Sequence, residues 1–286
     1  MVMIRKVKDV ITAHRQLEGG GFVVRRPFPS AGARELDPFL LLDEMGPSDY
    51  SPGEAIGAPD HPHRGFETVT YLLSGEMQHA DSAGHRGKLG PGDVQWMTAG
   101  RGVVHSELPS ERLMREGGRL HGFQVWVNLP ARDKMVPAHY QEIPKDRLPS
   151  ARTDDALASV RVIAGEALGA RAVIETRTPI LLQDWTLEPG ASVDVPVPRD
   201  FDVYAYVFEG GATVGEGTRL DEGQLAILGG GDAVRLARPR ESGSAGRLLL
   251  LGGVPLHEPV ARYGPFVMNS EAEVRQAIAD FRRGAF

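Results

Sequence analysis

Two short motifs hold the residues best suited to chemistry. His61-Pro62-His63 places two imidazoles two residues apart, and His105-Ser106-Glu107 does the same for an imidazole and a carboxylate. On a β-strand, residues i and i+2 share a face. Each motif therefore aims two donor atoms into one space. Two such strands facing each other across a small barrel would surround a metal ion. Imidazole nitrogen and carboxylate oxygen suit Fe, Mn, Ni, Cu and Zn. A closed structural zinc site more usually takes thiolates, and the chain has no cysteine. His61, His63, His105 and Glu107 are thus the expected ligands of one divalent transition metal. Four side chains leave two positions of a six-coordinate ion open, enough for an anionic enol or phenol together with dioxygen.

Other candidates carry less. His79 and His85 lie in or near a hairpin turn and read as solvated or rim residues rather than ligands. His121, beside Gly122 in a strand, is placed to reach the cavity behind the ligands, while His14, His139 and His257 carry no signal. Trp96 and Phe66 read as core. Gly229-Gly230-Gly231 and Gly215-Glu216-Gly217 follow no strand-to-helix pattern, so they are turns and not phosphate loops. Arg112, Arg115 and Arg119 form a cationic cluster that reads as a solvated loop face.

The elements that must position the motifs are short strands. With 35 Gly and 21 Pro in 286 residues, the chain favours turns over long helices. Phe66–Leu73 is rich in β-branched and aromatic residues and ends at Ser74-Gly75. Glu76 to Asp81 returns, and Gly90-Pro91-Gly92-Asp93 turns into Val94–Met97. Residues 46–60 and 130–157 read as loops, the second joining two domains. Such spacing argues for small barrels or a sandwich. Near the C-terminus, Ser270-Glu271-Ala272-Glu273 is a capping box opening a helix over residues 270–283 with Val274, Ala277, Ile278 and Phe281 on one stripe.

An internal repeat supports duplication. Phe66 to Gly75 aligns without a gap with Phe201 to Gly210, and Gly90–Val94 is echoed by Asp221–Leu225. Extending the first match backwards sets His61 and His63 against Pro196 and Pro198, and Val234-Arg235-Leu236 stands in place of a His-x-Glu. The expectation is a metal-bearing barrel over residues 1–145 and a ligand-free barrel over 146–286 that ends in the helix, with one metal per chain. A net charge of −6 gives no footprint for nucleic acid or an anionic membrane. The N-terminal charges precede no apolar run, and no window reaches the length of a membrane span, so a cytoplasmic protein is expected.

His61-Pro62-His63-Arg64-Gly65-Phe66-Glu67-Thr68-Val69, Gly90 to Gly102 and His105-Ser106-Glu107 together resemble the signature of the pirin family. Asp37–Glu44 and His121–Asn128 are similar too, and Gly264-Pro265-Phe266-Val267-Met268 fits in the second half. The resemblance covers residues 20–130 most closely. It implies an all-β bicupin, two double-stranded β-helix (jelly-roll-like) barrels with a short C-terminal α-helix. It also implies one metal, usually iron, held by His61, His63, His105 and Glu107 in the N-terminal barrel only. Family members are associated with two roles. One is quercetin 2,3-dioxygenase activity, opening a flavonol ring with O2 and releasing carbon monoxide, for which Glu107 would accept the proton of the 3-hydroxyl. The other is that of a non-catalytic, iron-dependent redox sensor or regulatory partner of other proteins. The duplicated barrels satisfy their own edges, so a monomer is expected.

Overall fold

The computed structural model describes residues 2–29 and 36–286. The chain forms two compact units, Arg15–Lys145 with Leu256–Phe286, and Met1–His14 with Asp146–Pro255. Among the described residues, each unit is a cupin barrel built on a seven-stranded and a four-stranded sheet. In the unit that carries the histidine motifs, the larger sheet centres on Val94–Thr98, Phe66–Ser74, Gly118–Asn128 and Phe39–Tyr50. The smaller sheet runs Ala58–His63, Val103–Pro109, Met77–Asp81, Arg86–Leu89. Phe66–Thr70 and all of Val94–Thr98 are buried, as central strands covered on both faces must be. Val103–Pro109 instead alternates strictly between buried and half-buried positions, which puts Val103, His105, Glu107 and Pro109 on the inner face.

The other unit repeats this order. Its central strands are Gln224–Leu228, Asp202–Glu209, Gly246–Gly253 and Ile180–Leu187, and its smaller sheet runs Ser192–Pro196, Ala233–Ala237, Ala212–Val214, Thr218–Leu220. Gly75 and Gly210, which close the matched ten-residue segments, both take a left-handed backbone (φ 87° and 74°) that other residues adopt only with strain. The repeated sequence is therefore a repeated turn. Strand register corrects the alignment of the ligand positions by one residue. His105 pairs with His61, and the equivalent inward pair is Val234 with Val195. Val195, Val197, Val234 and Leu236 occupy the inner face there and belong to one buried apolar cluster with Trp185. Aliphatic side chains fill that barrel where the first one carries donors.

Three further expectations are corrected. The halves 1–145 and 146–286 differ from the observed units at both chain ends. Val7–Thr12 pairs with Gln224–Leu228, completing the edge of the ligand-free barrel. The helix Glu271–Arg282 belongs to the other unit, where it packs on the hairpin Ala261–Tyr263 and Phe266–Met268. Ser270 caps it, accepting from the Glu273 N–H at 3.3 Å while the Glu273 carboxylate accepts from the Asn269 N–H at 3.1 Å. Residues 46–60 are not all loop, because the Phe39–Tyr50 and Ala58–His63 strands enter them. Likewise His139–Ile143 and Ser150–Arg152 are strands within the supposed connection. No helix among the described residues is long and apolar enough to cross a membrane.

Candidate metal centre

His61 and His63 project from one strand and His105 from its neighbour, with His105 directly opposite His61 and Val103 opposite His63. The three rings form a tight triangle, with centroids 4.7 Å (His61–His63), 4.5 Å (His61–His105) and 4.9 Å (His63–His105) apart. One nitrogen from each lies within 4.8 Å of the others. His61 Nδ1 is 2.7 Å from the Pro59 carbonyl oxygen, which can only accept, so Nδ1 carries a proton and Nε2 is the ring nitrogen left for a metal in the neutral tautomer. His63 is 3 % exposed and His105 1 %. His63 Nδ1 and both nitrogens of His105 nevertheless have no hydrogen-bond partner. Leaving such atoms dry and unpaired costs about 1–3 kcal/mol each, so a cluster of them needs a purpose. A metal ion would supply it, and the residues present fit one.

Electrostatics favour the metal-ready form. Burial pushes the His105 imidazole down to about 4, against the pull of the Glu107 carboxylate. Burial also drives His63 well below the usual imidazole value, helped by the neighbouring His105 and His61. Neutral imidazole is the form that coordinates. Glu107 behaves oppositely. Burial would raise its carboxyl, but His105, His61 and hydrogen bonds from Thr70 and Gln124 hold it below the usual range. Thr70 Oγ1 donates to Glu107 Oε1 at 2.9 Å, and Gln124 Nε2 donates to Oε2 at 3.0 Å. Glu107 Oε2 lies 3.9 Å from His105 Nε2. The three imidazoles thus converge, and the carboxylate stands beside them, tied back by its own donors.

The centre opens into a cavity of about 430 Å³ lined by His61, His63 and Glu107, a size typical of small-molecule sites. Leu41, Met45, Met77 and Trp126 supply apolar walls. The Trp126 ring packs 5.4 Å from His63 and 4.3 Å from Phe66. Cations enter the wall as well. Arg26 is clamped by both oxygens of Asp43, and the Arg262 guanidinium stands 4.8 Å over Trp126.

Residues 21–127 match the family model described as Pirin, and residues 182–286 match the Pirin C-terminal cupin domain. Human pirin is 43% identical over 284 residues, covering 97% of this chain and 92% of its own length. A pirin-like protein of tomato is 42% identical over 282 residues, covering 98% and 92%. This chain belongs to the pirin family. The crystal structure of a quercetin 2,3-dioxygenase from Acinetobacter baumannii superposes on it with TM-score 0.91 and 39% identity, covering 99% of this chain and 98% of that one. A bacterial pirin from Escherichia coli, solved with nickel(II), shares the fold at TM-score 0.62 and 21% identity, covering 89% and 100%.

Several residues of the pirin-type centre escape a reading by motif. Thr70 and Gln124 face each other across a strand pair, so one polar residue in each of two apolar strands distant in sequence was the available signal. Arg26 and Arg262 reach the cavity from strands with no motif of their own, and Asp43 reaches it from the Asp37–Glu44 segment. His121 does not reach the cavity, because its Nε2 sits 2.8 Å from Glu44 Oε1, which also pairs with Arg25. His79 is buried rather than solvated, whereas Trp96 and Phe66 are core residues. Arg112, Arg115 and Arg119 are spread over the short helix Glu111–Glu116 and the strand after it, each paired with a carboxylate on the surface.

Proposed function

We propose that the chain is an Fe(II)-dependent dioxygenase that opens the heterocyclic ring of a flavonol such as quercetin with O2. His61, His63, His105 and Glu107 would hold the metal. The observation that carries this reading is Glu107, an ionised carboxylate held between Thr70 and Gln124 at the wall of a cavity it shares with two of the imidazoles. The 39% identical quercetin 2,3-dioxygenase supports the same reaction class. When bound, the metal supplies a Lewis acid and a redox-active ion open to an enolate and to O2.

The chain's own groups account for the rest. Glu107 accepts the proton of the flavonol 3-hydroxyl, a transfer worth typically 10²–10⁴-fold in rate. Thr70 and Gln124 keep the carboxylate ionised and aimed before the proton moves. Leu41, Met45 and Met77 exclude water around the reacting ring, and Trp126 offers it a flat aromatic surface. The Arg262 guanidinium over Trp126 favours the anionic form of a substrate in the cavity, whereas the Arg26 charge is already met by Asp43 and Glu18.

The test is oxygen consumption and carbon monoxide release on adding quercetin to metal-loaded protein. Both are expected in equal amounts. No turnover at full metal occupancy would favour the non-catalytic, iron-binding regulatory role instead. His105→Ala should remove bound metal and turnover together. Glu107→Gln with unchanged iron content and undiminished turnover would remove the proton-acceptor role.

A further inference from the structure

A second group of metal-type donors lies in the same unit and plays no part in that chemistry. His79 and His85 flank the turn between the Met77–Asp81 and Arg86–Leu89 strands, and Glu142 comes from the His139–Ile143 strand of the larger sheet. Both imidazole Nε2 atoms converge on one oxygen, Glu142 Oε1, at 2.6 Å from His79 and 3.3 Å from His85. One donor atom from each of the three residues falls within 4.8 Å of the other two. We propose that His79, His85 and Glu142 form a second divalent-metal site, of the type that zinc occupies with two imidazoles and one carboxylate.

The surroundings are built around that point. Gln95 Nε2 donates to Glu142 Oε1 at 3.1 Å and fixes the carboxylate. Tyr140 stacks on His85 with centroids 4.4 Å apart and on His79 at 5.6 Å, which sets both ring planes. Asp81 Oδ1 accepts from the Ala83 and His85 N–H groups at 2.9 and 2.8 Å, shaping the turn that presents His85. Gly87 leaves the space open. A Cβ there would stand 2.1 Å from His79 Nε2 and 2.5 Å from Glu142 Oε1. The His79 side chain is 2 % exposed, but His85 and Glu142 are 40 % and 33 % exposed, so an ion can enter from solvent. Two neutral imidazoles and one carboxylate leave room for a water on a tetrahedral ion. Binding exchanges the two Nε2 protons for the metal, with the ring protons moving to Nδ1.

This departs from the expectation of one metal per chain, and it does not depend on the dioxygenase reading. Metal-free full-length protein is titrated with Zn²⁺ against a chromophoric chelator, and ions per chain are counted after buffer exchange. Wild type should hold two. His85→Ala/Glu142→Gln should hold one, as should Gly87→Ala, which keeps every donor residue but forces His79 Nε2 and Glu142 Oε1 away from the added Cβ. His61→Ala/His105→Ala should also hold one, lost on adding His85→Ala/Glu142→Gln. A second ion unaffected by His85→Ala/Glu142→Gln overturns the proposal, as does a single ion lost only with His61→Ala/His105→Ala. A single ion lost only with His85→Ala/Glu142→Gln would support the second site and remove the first.

Discussion

At the scale of single residues, the centre contrasts acceptors without donors and an acceptor with two. His105 is fully buried with neither nitrogen hydrogen-bonded, whereas Glu107, its strand neighbour, has both oxygens satisfied. The carboxylate is therefore restrained by side chains that need not touch a metal. Thr70→Val keeps the shape and deletes one bond to a charged group, worth about 1.5–3 kcal/mol. Turnover with quercetin should fall roughly 10- to 100-fold at unchanged metal content. Equal loss of metal and turnover would show instead that Thr70 supports the binding site as a whole.

At the scale of elements, the helix Glu271–Arg282 is tied to the strand end that carries His61 and His63. Arg64, next to His63, donates to Asp280 at 2.7 Å, and its guanidinium stacks 4.4 Å over Phe286. The hydrogen bond from Arg64 holds the Asp280 carboxyl below its usual value. The sign follows. An unfolded or undocked Asp280 takes up its proton near pH 4, so the pair stabilises docking above that pH and is lost as pH falls through the lower docked value. Asp280→Asn should speed hydrogen exchange of the helix amides at neutral pH while leaving the Phe66–Ser74 strand protected. Unchanged exchange across the helix would mean that its apolar contacts, Val274 and Ala277 above all, hold it alone.

For the whole molecule, one architecture serves two tasks. The inner-face positions that hold His61, His63, His105 and Glu107 in one barrel hold Val195, Val197, Val234 and Leu236 in the other. The second barrel spends those positions on a core. Leu236→Ala should cost about 2–5 kcal/mol through the cavity it leaves, measured by denaturant unfolding. Metal stoichiometry should not change, since no donor is touched. A loss of metal on this substitution would reveal coupling between the barrels, because every candidate donor lies in the other one.

Much of this was written locally in the chain. The i,i+2 spacing of His61/His63 and His105/Glu107 encodes a shared face as soon as each segment is a strand, because alternation is a property of the extended backbone itself. The paired segments ending in Gly75 and Gly210 likewise encode a turn that needs a left-handed residue, which is why duplication was legible. What the tertiary structure alone decided is what meets across distance. Glu142 lies 63 residues from the His79 it bonds, inside a stretch that reads as linker. The first and last segments of the chain each complete the unit that their place in sequence would not assign them. Register moved the lost ligand positions from the prolines to Val195 and Val197. Such pairings are set by sheet edges and buried area, and no local pattern of residues carries them.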